Sequence, residues 1–302
     1  MDRIERLSTA LLREATALLR SLDQPALASI RRQFRLQEVI ASTALAGYRL
    51  DAGVTAALLE RGIALGGHVL EAYEAVADYA DAARHVDASD PRPLRPRTFL
   101  RADDMLELHR RAMRRTGKAP GAWRERNVPS VRSGLVPPPH WLVPREVASL
   151  VDRVARGPAT PEQSLAWVAL AHGRLLRVQP FDGGNGRVAR LLANLLLRRL
   201  GLPPAAFPRR VVQRYRAALA AADGGDIAPL ALLTGEAVRE RLRRLSASVS
   251  SDGLRPLREL AQPRRVAALL KAAQRGRLRT VREGNRFLTT AAWLAEYEEG
   301  VG

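Results

Sequence analysis

Residues 160–204 constrain this chain most, because they read as two helices joined by a loop that only a glycine-rich backbone can form. Thr160-Pro161-Glu162-Gln163 is a helix start, with Thr as cap, Pro at the first position and Gln three residues after the cap. That helix is expected to run to about Val178, where Pro180 blocks its continuation. Gly183, Gly184 and Gly186 then allow positive φ and a close approach of backbone to a ligand. A second helix follows from about Arg187 to Leu200, closed by Gly201 and Pro203-Pro204. Backbone N–H groups at its start point outward, where the helix dipole also favours an anion. Arg187 and Arg190 lie three apart in its first turn, where the dipole disfavours a cation by roughly 0.3–1 kcal/mol each. A bound phosphate would reverse that sign. The plain alternative is a helix–helix connection carrying surface arginines.

The remaining chain is also helix-like. Residues 3–22 place Ile4, Leu7, Leu11, Leu18 and Leu22 on one side, and segments 26–50, 54–64, 66–85 and 101–116 read as further helices. Ala, Leu and Arg dominate the 302 residues and only 5% are aromatic, so a mostly α fold is expected, with one large domain and a smaller one. Residues 121–144 differ. Val128, Val131 and Val136 are β-branched, Ser133-Gly134 is a turn signal and three prolines follow, as in a short β-hairpin or extended loop. With no cysteine, disulfides and thiolate metal sites are excluded. No signal peptide or membrane span is legible, so a soluble cytoplasmic protein is expected. The net charge of +18 attracts nucleotides, nucleic acid or acidic protein surfaces, unless the arginines only cover solvated helix faces.

The segment Gln179-Pro-Phe-Asp-Gly-Gly-Asn-Gly-Arg-Val-Ala-Arg190 resembles the Fic-family signature H-P-F-x-[D/E]-G-N-G-R-x-x-R, with seven of nine specified positions in place. Leu108-His109-Arg110, Gly121-Ala-Trp-Arg124, Val136-Pro-Pro-Pro139, Ala171-His172 and the run from Leu191-Leu192 to Pro203 extend the likeness over roughly residues 30 to 235. The resemblance implies an all-α core (31–250) behind an N-terminal helix (1–30), with a β-hairpin flap at 121–144. It implies transfer of AMP from ATP to a hydroxyl of a target protein. Asp182, Gly183, Gly184, Asn185 and Gly186 would form the phosphate-binding loop (179–190), with Asn185 and the loop amides as an anion hole. Arg187 would contact the phosphate chain and Arg190 the γ-phosphate. The flap near Ser130–Leu135 would align the target by strand addition.

Two positions depart from that pattern. The family's histidine, its general base, is Gln179, and a carboxamide does not titrate near neutral pH. The acidic ligand of the usual Mg²⁺ is Gly183, so no protein metal ligand is expected, although Asp182 one residue earlier could reach a metal through water. Among other histidines, His172 lies two helical turns before Gln179, about 10 Å away, in an apolar stripe that suits a core histidine. His140 follows the flap prolines, and His109 is expected to pack within its own helix. Many Fic proteins also carry an inhibitory helix, [S/T]-x-x-x-E-[G/N], whose glutamate pairs with the second loop arginine. Residues 36–47 resemble it with Ser42 and Gly47 in place, but Ala46 stands at the glutamate position, leaving Arg190 open to a ligand. An ordinary helix ended by Gly47 is the simpler alternative.

From about residue 251 the chain becomes very basic: ten Arg or Lys against Glu259 and Glu283 between Arg255 and Arg286. The order reads as helix, helix, a hairpin with Gly-Asn at its centre, and a closing helix. It resembles the small winged-helix units of excisionase and MerR-like DNA-binding proteins. That likeness implies Arg264, Arg265 and Lys271 on a major-groove helix, and Arg275, Arg277, Arg279 and Arg282 around a wing on phosphates. A basic cap packed on the core is the alternative. The combined expectation is a nucleotide-binding adenylyltransferase homologue, taking ATP or a related nucleotide, impaired in AMP transfer by Gln179. Its partners would be a protein target if active, DNA through residues 251–302, and a second copy as a homodimer, with no membrane. Two alternatives stand beside it: a DNA-binding regulator with a ligand-sensing core, and a transferase with a non-standard base or donor.

Overall fold

In a computed structural model, residues 2–21, 24–89, 99–116, 119–129, 135–249 and 254–299 are described. The helices of the larger part, in chain order, are α1 (Arg3–Ser21), α2 (Gln24–Leu45), α3 (Ala52–Arg61), α4 (Leu70–Ala88), α5 (Ala102–Ala112), α6 (Val143–Val154), α7 (Ser164–Val178), α8 (Asn185–Arg199), α9 (Val212–Asp223) and α10 (Ala228–Val249). Every residue of α8 from Arg187 to Leu197 is buried. The helix is enclosed on all sides even though Arg187, Arg190 and Asn194 are polar, packed by α7, α4 and α5. The loop before α8 is therefore anchored on the most enclosed element of the fold.

Helices α6, α9 and α10 carry no motif and fold through amphipathic faces. In α6, Val143, Val147, Leu150 and Val154 recur at helical spacing and are buried. α1 closes the bundle against α10 and α7, placing Ile4, Leu7 and Leu11 in the same core as Leu165 and Leu242. Gly235 makes that approach possible: a β-carbon there would stand 2.5 Å from Leu7 Cδ2 and 2.7 Å from Leu165 Cδ1. α7 is preceded by a 3₁₀ turn, Pro161–Gln163, rather than starting at Pro161, and Thr160 makes no side-chain cap bond. α8 begins at Asn185, two residues earlier than the periodicity predicts, because left-handed Gly184 (φ 69°) ends the loop there.

The expected flap hairpin falls partly on residues 130–134, outside the described residues, and neither 119–129 nor 135–139 contains a strand. The described strands all lie in the C-terminal unit: β1 (Arg255–Pro256), β2 (Val281–Glu283) and β3 (Arg286–Thr289), antiparallel in the order β1-β3-β2. Around them lie α11 (Leu257–Leu260), α12 (Val266–Gln274) and α13 (Ala291–Glu299), on a small core of Leu257, Leu269, Leu278 and Leu294. The β2–β3 hairpin packs on the end of α10, where Ala247, Val281, Leu288 and Trp293 form a shared apolar cluster. Arg243 and Arg244 reinforce the junction by donating to the carbonyls of Thr280 (3.2 Å) and Arg282 (2.9 Å).

Candidate functional site

Gln179 caps α7 in the left-handed region (φ 45°, ψ 64°), which turns the chain away from the helix axis before Pro180. A non-glycine residue there is strained by about 1–3 kcal/mol, and the neighbouring chain holds it. The buried Arg124 guanidinium donates to the Gln179 carbonyl (2.7 Å) and the Arg126 carbonyl (2.9 Å), and also bonds the carbonyl of Pro138. Its backbone N–H donates to Pro180 O (2.9 Å). Arg124 thus ties the loop entrance to both ends of the expected flap, a role its place in the sequence did not reveal.

Inside the loop, the Asn185 carboxamide accepts from Phe181 N–H (3.1 Å) and donates to Phe181 O (2.9 Å), so it braces the loop across its own turn. Phe181 is fully buried and stacks on His109 (3.9 Å between centroids, 8°) and on Trp123 (5.1 Å). His109 therefore packs under the loop, rather than only within its own helix as the sequence suggests. Its Nδ1 accepts from Gly121 N–H (2.9 Å), which leaves the proton of the neutral ring on Nε2. Burial pushes its pKa down to about 4, so it is a neutral support and not a cation at pH 7.

The loop opens onto a cleft of ≈ 380 Å³ lined by Gly183, Gly184, Gly186, Arg187 and Arg190 on one side. Leu45, Ala46, Tyr48, Met113 and Thr116 complete the lining. Gly184 is pressed against Met113, whose Sδ would lie 2.4 Å from a β-carbon at that position. Arg187 donates to Ala112 O (3.1 Å) and Thr116 Oγ1 (3.4 Å), with its guanidinium 5.6 Å from the centre of the Tyr48 ring. Arg190 is largely buried but still lines the cleft. Alanine at position 46 puts no carboxylate against it, and its guanidinium is held instead from α2, donating from Nε to Ser42 Oγ (2.6 Å) and from Nη2 to Ser42 O (2.9 Å). Ser42 is buried because its hydroxyl serves that guanidinium, whereas Ala46, one turn later, is exposed at the cleft. Gly47 ends the segment at φ 99°.

Gln179 is buried but does not line this cleft. Asp182 is engaged by Arg126 (Nε to Oδ1, 3.2 Å). With glycine at 183, the loop offers no unengaged carboxylate to a Mg²⁺, and no group of three His, Cys, Asp or Glu lies together among the described residues. His172 is fully buried, its Nε2 bonded to Tyr215 OH (2.9 Å), so it belongs to the core. His140 stands beside Trp141 on the flap side, its backbone N–H held by Asn127 Oδ1 (2.9 Å). The seven basic residues singled out in the C-terminal unit are all exposed, from Arg264 to Arg282. Arg265 pairs with Glu298 (2.8 Å) and Arg279 with Glu296 (3.5 Å), and Arg282 lies over Phe287 on the docked hairpin.

Helix, braced glycine loop and buried helix, with two arginines under one cleft, fall within residues 99–197, which match the Fic/DOC family. This segment is a Fic/DOC domain. The Drosophila yakuba protein adenylyltransferase Fic is 29% identical to the chain over 221 residues, which are 72% of this chain and 43% of that protein. The chain therefore spans less than half the length of the curated Fic relatives it matches. Among solved structures, Fic-1 from C. elegans superposes with a TM-score of 0.71 at 26% identity, over 80% of this chain and 72% of that one. A Fic family protein from Desulfovibrio desulfuricans has a TM-score of 0.63 at 20% identity over 96% of both chains, so the fold likeness extends beyond the Fic domain into the C-terminal unit.

Proposed function

We propose that the chain binds an ATP-like nucleotide by its phosphates through loop 182–187 and Arg190, and that Gln179 leaves it impaired in AMP transfer. The observation that carries the reading is the cleft, in which the loop glycines, Arg187, Arg190 and the exposed Ala46 share one wall system. Backbone N–H groups at a helix start attract an anion, and a cavity of this size suits a nucleotide's phosphates with part of its sugar. Asn185 contributes by fixing the loop's shape. Charge-assisted bonds from the two guanidiniums would supply most of the phosphate affinity. A Mg²⁺ would have to be held chiefly by the nucleotide, since the protein's usual carboxylate is absent.

The impairment follows from position 179. General base catalysis is typically worth about 10²–10⁴-fold, and glutamine cannot supply it. Introducing Gln179→His together with Gly183→Asp is expected to produce self-modification with labelled ATP that the parent lacks. Robust transfer by the parent would overturn the reading of impairment and point to another base. The protein target and the ability to form a homodimer are carried over from the family likeness alone. For the C-terminal unit, DNA is a second reading, favoured by the exposed cations at 264, 265, 271, 275, 277 and 279.

A further inference from the structure

A second cleft, of ≈ 620 Å³, lies where α2, α10 and the turn before α9 meet the C-terminal unit. Its floor is the side of α2 that carries Ile40 and Ala44, together with Phe207, and the turn of the β2–β3 hairpin forms one wall. Six arginines and three glutamates line it. Two of the glutamates are already engaged: Glu236 by Arg214 (2.8 Å), and Glu240 by Arg244 (3.2 Å) and the backbone N–H of Arg282 (3.3 Å). The guanidiniums of Arg209 and Arg210 make no hydrogen bond or ion pair among the described residues. Both sit in the 3₁₀ turn that leads into α9, where the helix dipole adds further positive potential. Burial holds the Arg210 pKa below its ordinary value; nearby Glu240 opposes that shift, while Arg282 and Arg244 add to it.

A concave site with an apolar floor and unpaired guanidiniums on its rim fits a small molecule with a compact anionic head. We propose that this cleft is a binding site for a phosphorylated small molecule, with its phosphate on Arg209, Arg210 and Arg282 and its apolar body against Ile40, Ala44 and Phe207. A DNA duplex is wider than this recess and presents no apolar body to its floor, so the geometry favours the small molecule. The site is separate from the glycine loop, since α2 stands between them: Ser42 on one side holds Arg190, while Ile40 and Ala44 face the second cleft.

The test uses the full chain and phenyl phosphate, the simplest probe that joins a phosphomonoester to an apolar body, followed by ³¹P NMR. Saturable binding is expected, weakened at least tenfold by Arg209→Ala/Arg210→Ala and changed less than twofold by Arg275→Ala, an exposed arginine outside the cleft. Both cleft arginines are exposed, so the double variant is expected to fold, with unchanged circular dichroism as the check. No saturable binding by the parent, or equal binding by the double variant, overturns the proposal. A short DNA duplex that displaces the probe from the parent, and itself loses affinity in the double variant, would assign these arginines to a nucleic-acid backbone and overturn the small-molecule reading.

Discussion

Arg190 ties α2 to the helix that follows the glycine loop, so its removal is expected to act on the fold as well as on the proposed ligand. Its bonds to Ser42 are charge-assisted and buried, and hydrogen bonds to charged groups are worth about 1.5–3 kcal/mol. Arg190→Ala is expected to weaken ATP binding at least tenfold by calorimetry, whereas Arg198→Ala, whose bond goes to Ser89 O at 3.4 Å away from the loop, should not. Indistinguishable affinities for both variants and the parent would remove the phosphate-site reading. Four residues before Ser42, Glu38 is buried against Tyr79 OH (3.0 Å). Burial, reinforced by Asp87, raises its pKa to about 7 against the pull of Asn194, Tyr79 and Arg241. Between about pH 4.5 and 7 the native state keeps a proton that the unfolded chain has lost, so this group's contribution to stability falls as pH rises, by up to about 3 kcal/mol. His109 has the opposite sign: its stabilisation is present above pH 6.5 and is lost as pH falls towards 4. In urea unfolding from pH 5 to 8, Glu38→Gln should abolish the decline towards pH 7 and unmask the rise due to His109. An unchanged profile would mean that Glu38 is ionised in the native state throughout.

At the scale of elements, the loop depends on conformation and contact at once. Gly184 needs φ 69° and lies against Met113, whereas Gly201, at φ 77°, has nothing within 4 Å of a would-be β-carbon. Left-handed backbone costs an ordinary residue about 1–2 kcal/mol. Gly201→Ala should therefore lose about that much stability, and Gly184→Ala more, together with nucleotide affinity, because Met113 must move and the cleft wall moves with it. Equal losses, with binding intact, would show that Met113 yields freely and that the loop tolerates the displacement. The element pattern was legible before the fold was known: a helix, a glycine turn, a helix and a Gly-Asn hairpin each announce themselves through local chemistry. What local chemistry could not announce was Arg124, whose carbonyl partners are up to 55 residues away.

The whole molecule joins two units through a small apolar seam, and this qualifies any account of the C-terminal unit as a free DNA reader. The hairpin expected as a wing spends Val281 and Leu288 on Ala247, leaving its polar side and α12 for a partner. Truncation after Ser250 should keep α1–α10 helical but lower their melting temperature, because Ala247 loses its cover. If the exposed cations serve DNA, the same truncation should abolish most duplex binding, which in the parent should weaken steeply between 50 and 200 mM salt through counterion release. Full duplex binding by the truncated chain would refute the DNA reading of the C-terminal unit.

The sequence by itself determined the local devices: which stretches are helical, where proline and glycine break them, which loop can present amides to an anion, and that no imidazole stands at 179. These follow from backbone sterics and short-range periodicity, which a linear string records. Only the tertiary structure decided how side chains distant in sequence share partners. It placed Arg190 on Ser42, 148 residues away, turned Asn185 into a brace, put His109 beneath Phe181 and set the basic hairpin on α10. The physical reason is that a buried cation or amide must be satisfied by whatever the packing brings within reach, and packing is a property of the folded chain rather than of any segment of it.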